Sequence, residues 1–337
     1  MSDQTSTSRK LRVGIIGGGG IVRAHLPRLK ERSDAVEVVA LSDVNEQAAQ
    51  ATAEEYSIPL HTTDYKEWLN DVDAVVVGVP THIHHVIGVD AANAGKAIFM
   101  EKPMTRTREQ ANQLLAAVEK NAVPFQVGFV RRFDDEWLGW RKLILEEKIG
   151  KPVVWHDFNS GFGPPTPWFN QEEKGGGPFI DGCIHNYDFA LFTFGPAEWA
   201  FAHLRSMRQG NTAFDTGTAT IHFQSGDKLL LAWSWGLPRT TSGRRVFEFL
   251  GPRGVLKYSD DNQFQIETEG EESEPAIEAI PFPAASIGAA FNKQMDEFIA
   301  VARGESTPRA GAKEGLESLK IALAVLESGR TGQVVRF

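Results

Sequence analysis

The chain has 337 residues, 42% apolar and 23% charged, a balance that excludes a disordered or fibrous protein. Its 35 Lys and Arg against 44 Asp and Glu leave a net charge of −9 with no basic block, so neither nucleic acid nor membrane is an expected partner. A single cysteine, Cys183, excludes an internal disulfide framework and any cysteine-rich metal site. No apolar run reaches the roughly 18 residues of a membrane span. Residues 1–10 read as a polar disordered tail without a secretory core, so a cytoplasmic location is expected.

The first half alternates two periods. A strand over Leu11–Ile16 ends in four glycines and precedes a helix over Ala24–Arg32. A second strand, Val36–Leu41, leads to a helix from Asn45 to Tyr56, with a weaker strand near Leu60–Thr62. Asp73–Val79 reads as strand, Ile83–Ala94 as helix, Ala97–Met100 as strand, Thr107–Asn121 as helix and Phe125–Phe129 as strand. Wholly apolar strands, each followed by a helix, predict a parallel sheet covered on both faces. Right-handed crossovers then favour a doubly wound Rossmann sheet over residues 11–130.

After residue 130 the pattern changes. A Trp-rich helix over Asp134–Glu147 leads to a strand at Pro152–Asn159, a Gly/Pro/aromatic loop to Gly177, and a helix ending at Gly195. Strands follow over Trp199–Arg205, Thr216–Gln224, Lys228–Trp235, Arg245–Leu250, Val255–Tyr258 and Phe264–Glu267. Turn residues separate them, so residues 131–337 are predicted to form an α+β domain on an open, mainly antiparallel sheet. The last helices, Ile287–Arg303 and Ala312–Ser328, are free to pack back on the first domain. Asp260–Glu278 holds eight acids and no base, as a solvated sheet edge would. Trp137, Trp140, Trp233 and Trp235 are expected in core or interface positions.

Three stretches carry chemistry. Gly17-Gly18-Gly19-Gly20-Ile21-Val22 fits G-x-G-x-x-G with Val22 in the third place, where a small side chain is usual. Its glycines permit a tight turn and let backbone N–H groups approach a pyrophosphate at a helix N-terminus. Asp43, at the end of the second strand, can bond ribose hydroxyls and repel a 2′-phosphate, which predicts NAD in preference to NADP. The same residue type also serves as a helix N-cap. Lys102, in Glu101-Lys102-Pro103, stands at the lip of the sheet, where a cation favours an alkoxide as hydride leaves. A lysine in a turn is also an ordinary surface residue, and Pro103 permits a cis bond. Beyond Gly175-Gly176-Gly177-Pro178, Asp181, His185 and Asp188 fall on one helix face beside an apolar stripe, facing something wet. Asp181 can orient His185 one turn on, which suits a general base, or the two can form a surface pair.

Together these stretches resemble the Gfo/Idh/MocA family, named for glucose–fructose oxidoreductase and inositol dehydrogenase. The likeness covers nearly the whole chain. Weaker matches are Pro80 with His84, Gly128 with Arg132-Phe133, Phe223 with Gly226, Gly251 with Gly254, and Ser328 with Gly332. The resemblance implies an NAD-binding Rossmann domain and a substrate-binding α+β domain that assembles dimers or tetramers through its sheet. It implies catalytic roles for Lys102, Asp181 and His185, and a substrate contact for Asp188. Expected cofactor contacts are Gly17, Gly19, Gly20, Ile21, Asp43, Pro80, Thr81, His84, Glu101 and Lys102. Two positions depart from the family pattern: Cys183 replaces a common glycine, and Thr81 a common asparagine.

The remaining candidates carry alternatives. His82, His84 and His85 cluster without a cysteine or close acid, and no metal site is expected. Arg131 or Arg132 can face substrate. Trp168, with Phe162 and Phe169, can stack on the C–H faces of a sugar or pack the loop. The expected reaction is oxidation of a secondary alcohol on a sugar, polyol or sugar derivative. His185 would take the hydroxyl proton, Lys102 would stabilise the oxyanion, and hydride would pass to NAD. A glycosidase using NAD without net reduction, or a sensor that binds nucleotide and sugar without chemistry, are the alternatives.

Overall fold

The computed structural model describes residues 9–261, 263–270, 274–281 and 287–337. Two units emerge, one reaching to Thr105 with Glu109–Val130 and Gly288–Lys313, the other Arg106–Arg108, Arg131–Ile287 and Glu314–Phe337.

In the first unit the chain runs β1 (Leu11–Ile16), α1 (Gly20–Lys30), β2 (Val36–Ser42), α2 (Glu46–Tyr56), β3 (Leu60–Thr62) and β4 (Ala74–Val77). It continues through α3 (Thr81–Asn93), β5 (Ala97–Met100), α4 (Arg108–Asn121) and β6 (Phe125–Val127). The strands lie in the order β3-β2-β1-β4-β5-β6, and every pair is parallel. All residues of β4 and β5 are buried, which is why these strands read as unbroken apolar runs. The order reverses between β1 and β4, opening a crevice beyond the C-terminal strand ends. The glycine loop and Glu101-Lys102-Pro103 both leave the sheet at that side.

The second unit holds α5 (Asp135–Leu145), β7 (Val154–Ser160), α6 (Ile184–Phe194), β8 (Ala197–Arg205), β9 (Thr216–Phe223), β10 (Lys228–Ser234) and β11 (Arg244–Gly251). Next in the chain come β12 (Gly254–Tyr258), β13 (Phe264–Thr268), β14 (Ala276–Ala279), α7 (Ile287–Ala302), α8 (Ala312–Thr331) and β15 (Val335–Arg336). Its nine-stranded sheet has the order β14-β13-β12-β11-β7-β10-β9-β8-β15. Among the described residues only β7 and β10 pair in parallel, so the sheet is mixed but mainly antiparallel. Trp137 and Trp140 of α5 pack on Phe189 and Phe247 at ring distances of 4.9 and 4.1 Å, burying one face of that sheet.

Helix α7 belongs to the first unit, where Met295, Phe298 and Ile299 join the core around β1 and β5. Helix α8 belongs to the second, and Ser328 Oγ accepts the N–H of Ala202 at 2.8 Å. Strands β14 and β15 are not predicted by sequence pattern, being short and without alternation. All four residues of β14 are exposed, and it forms the sheet edge inside the acidic stretch. Part of that stretch, residues 262 and 271–273, lies outside the described residues, as does most of the polar tail. Among the described residues no helix is long and apolar enough to cross a membrane.

Candidate active site

At the end of β1 the chain turns on Gly17, whose φ of 105° suits glycine. An added Cβ there would stand 2.6 Å from the carbonyl oxygen of Gly78. Gly17 N–H donates to Ser42 O at 2.7 Å, and Gly18 N–H donates to Asp43 Oδ2 at 2.7 Å. Asp43 therefore ties the loop to β2, while Asn45 caps α2 by accepting the N–H of Ala48 at 3.1 Å. Helix α1 starts behind Gly19 with no side-chain cap and no acid in its first turn. A Cβ added at Gly19 or Gly20 would meet nothing within 4 Å. Uncapped N–H groups opening on free space suit a pyrophosphate, so these residues fit a dinucleotide.

Val22 breaks the usual spacing without breaking the packing. The room it needs comes from β4's end, where a Cβ on Gly78 would lie 2.5 Å from Val22 Cγ2.

Past β5, Glu101 N–H donates to Val77 O at 3.0 Å, and the Lys102–Pro103 bond is cis. Lys102 is half-buried. His84, on α3, faces Pro103 O through Nδ1 at 2.7 Å and Val79 O through Nε2 at 2.8 Å. Its burial pulls the pKa below the ordinary histidine value, against the two carbonyls and Glu101, which raise it. The histidine thus pins the lysine turn to the turn after β4. Thr81 opens α3 behind Pro80, and its Oγ1 is buried with no hydrogen-bond partner among the described residues. Within this unit the structure therefore gathers the expected cofactor residues at the C-terminal ends of β1, β2, β4 and β5. Among the described residues no group of three or more His, Cys, Asp or Glu is arranged to hold a metal.

In the second unit the three glycines before the catalytic candidates are set by close approaches. A Cβ on Gly175 would lie 2.5 Å from Phe169 backbone, and Gly177, at φ 74°, has Phe214 O 2.6 Å from that position. Gly175 N–H also donates to Trp168 O at 3.0 Å. The segment Pro178–Gly182 is a π-helical turn, with Cys183 N–H reaching Pro178 O at 2.7 Å. Asp181 stands on that turn, buried, and half-buried His185 on the first turn of α6. The expected single α-helix through both is corrected here: the junction of a π-turn and an α-helix separates them, a feature frequent at functional sites. Burial raises the Cys183 thiol pKa well above its ordinary value, so this sulfur is not a reactive thiolate at neutral pH.

The expected wet ridge is also corrected at its far end, because Asp188 is fully buried. Arg132 holds it through Nε, at 3.1 and 3.0 Å from the two carboxylate oxygens, and through a terminal nitrogen at 2.7 Å. Burial pushes Asp188 up to about 6, and the Arg132 guanidinium beside it opposes that rise. Arg132 and Asp188, two of the residues expected to meet substrate, thus meet each other. Trp168 is half-buried and stacks on Phe169 at 3.8 Å, which covers one face of its indole.

Two polar residues near these positions escaped the sequence reading. His25 sits among Val22, Leu26 and Leu29 on the buried stripe of α1, and bonds Glu101 at 2.7 Å. Asp157 occupies an inward position of β7, two residues after buried Trp155, and accepts from Asn186 Nδ2 at 2.6 Å. A polar residue at an apolar period was the available signal in both cases.

Profiles of known families match both parts of the chain. Residues 11–129 match an oxidoreductase family, NAD-binding Rossmann fold, and residues 141–337 its C-terminal alpha/beta domain. Oxidoreductase YrbE of Bacillus subtilis is 30% identical over 227 residues, covering 65% of this chain and 65% of that protein. Inositol 2-dehydrogenase of Rhizobium meliloti is 28% identical over 326 residues, 94% of this chain and 96% of that one. The solved structure of levoglucosan dehydrogenase with NADH and levoglucosan is 21% identical. It shares the fold at a TM-score of 0.84 over 97% of this chain and 99% of that one.

Proposed function

Because this chain belongs to the Gfo/Idh/MocA oxidoreductase family and carries its NAD-binding domain, we propose that it oxidises a secondary alcohol of a sugar, polyol or sugar derivative. The observation that carries the reading is in the first unit. An uncapped α1 N-terminus and a lysine on a buried turn share the C-terminal side of one parallel sheet. The inositol dehydrogenase relative supports the substrate class.

When bound, NAD would supply the hydride acceptor. Gly17, Gly19, Gly20 and Ile21 would hold its pyrophosphate, Asp43 its adenosine ribose, and Pro80, Thr81, His84 and Glu101 would line its nicotinamide side. In this reading His185, oriented by Asp181, takes the proton of the substrate hydroxyl. The Lys102 ammonium stabilises the negative charge that grows on that oxygen. Trp168 offers a ring face to the C–H side of the sugar. Arg132 and Asp188, paired inside, fix α6 behind His185 rather than gripping substrate directly. Exposed Phe201 on β8 and Leu250 on β11 support assembly of copies through this sheet.

A panel of inositols, sugars and sugar acids with NAD, followed by NADH absorbance, tests the reading. Turnover of at least one, lost in Lys102→Ala, is the expected result. Cleavage of a glycoside without net NADH, or tight sugar binding without turnover, would replace it with the glycosidase or the sensor.

A further inference from the structure

The turn carrying Lys102 is fastened by two buried side chains that take no part in the proton and hydride steps. His25 Nε2 lies 2.7 Å from Glu101 Oε1, with the imidazole fully buried and the carboxylate nearly so. The imidazole stands edge-on to Phe99 at 5.0 Å and to Phe291 at 5.2 Å, so aromatic walls fix its plane. Its Nδ1 is buried with no hydrogen-bond partner among the described residues. Nε2 is therefore the ring nitrogen placed to donate its proton to Glu101.

The other carboxylate oxygen of Glu101 accepts the backbone N–H of Lys102 at 3.1 Å. Gly128 closes the remaining side, since a Cβ there would stand 3.0 Å from the carboxyl carbon and both oxygens. A buried carboxylate is costly unless its oxygens are bonded, and these are bonded to two particular elements. One is α1, the helix whose N-terminus suits the dinucleotide. The other is the backbone of the lysine that serves the alcohol.

We propose that His25 is a positioning residue for Lys102, acting through Glu101. The carboxylate links the helix that seats the cofactor to the turn that presents the ammonium, and so sets one against the other. The inference rests on the role given to Lys102 above.

The test uses the full-length protein and the variants His25→Leu, His25→Gln, Glu101→Gln and Lys102→Ala. One arm needs no substrate: the acetylation rate of Lys102 by acetic anhydride in NAD-saturated protein, relative to exposed Lys142, read by mass spectrometry. The other arm is kcat and KM on an alcohol from the panel. His25→Leu should change the relative acetylation rate at least about threefold and lower kcat on the order of 10²-fold, as a displaced catalytic group does. The KM for NAD should move less than about threefold, because uniform binding is untouched. The amide of His25→Gln can donate from nearly the same place and should restore most of both readouts. Glu101→Gln keeps the shape but loses an acceptor, should behave like His25→Leu, and carries the test if that variant fails to fold.

Wild-type acetylation and kcat in His25→Leu would overturn the proposal. So would a His25→Gln variant as impaired as His25→Leu, which would mark the site as packing alone. If Lys102→Ala leaves turnover intact while Lys102 acetylation still follows His25, the catalytic reading of Lys102 falls and the positioning link stands.

Discussion

Arg132 and Asp188 form a three-bonded ion pair inside the second unit, with side chains 6% and 0% exposed. Removing one member of such a pair leaves an uncompensated charge in the interior. Arg132→Met should therefore cost about 3–5 kcal/mol in urea unfolding, and the double variant with Asp188→Leu should recover much of it. A raised substrate KM with unchanged stability would instead put Arg132 at the substrate.

His185 carries the proton step in the proposed reaction. Replacing it with Ala should lower kcat about 10²–10⁴-fold in steady-state NADH formation. Adding Lys102→Ala to that variant should cost much less than the Lys102→Ala change alone, since groups serving one step are not additive. Near wild-type turnover in His185→Ala would remove the histidine from the role.

In the proposed reading Asp43 sets the cofactor preference. Calorimetric Kd values should favour NAD over NADP by at least about tenfold, or ~1.4 kcal/mol. Asp43→Asn keeps an acceptor for Gly18 N–H but drops the charge, so it should shrink that ratio. Equal wild-type affinities would refute the assignment.

Asp157 should make stability depend on pH. Burial pushes its pKa from 3.8 up to about 6, against the pull of Arg245, Asn186, His156 and Arg131. The folded chain thus holds a proton that the unfolded chain releases, so this group's stabilising contribution fades as pH rises through about 6. Asp157→Asn, still able to accept from Asn186, should gain on the wild type by up to ~3 kcal/mol between about pH 4 and about pH 6.5. Parallel stability profiles across that range would show that Asp157 does not titrate there.

Much of the fold could be read from period alone. Strands β1 and β5 coincide with their expected ranges because a strand largely buried on both faces must read as an apolar run, whereas β3, Leu-His-Thr and mostly exposed, carries only a weak signal. Short β14 and β15 lack such a demand, and their pairing is decided by neighbours far away in the chain. The candidate residues were named by motif, but their partners were not. Spacing alone does not distinguish a π-turn from an α-turn, so the junction at Gly182 and the burial of Asp188 were invisible. Nor does a motif reveal that His84 lies between two carbonyls, or that His25 faces Glu101, because those contacts join separate strands and helices.

The neighbourhood of Val22 and Gly78 shows how a dinucleotide loop can keep its shape with a branched residue in the place of a small one. The vacancy is supplied from across the sheet, so the two positions form a single steric unit. Enlarging residue 78 should be tolerated only in a chain whose residue 22 has been trimmed. Surveys that score the loop by its own letters will undercount nucleotide binders built this way.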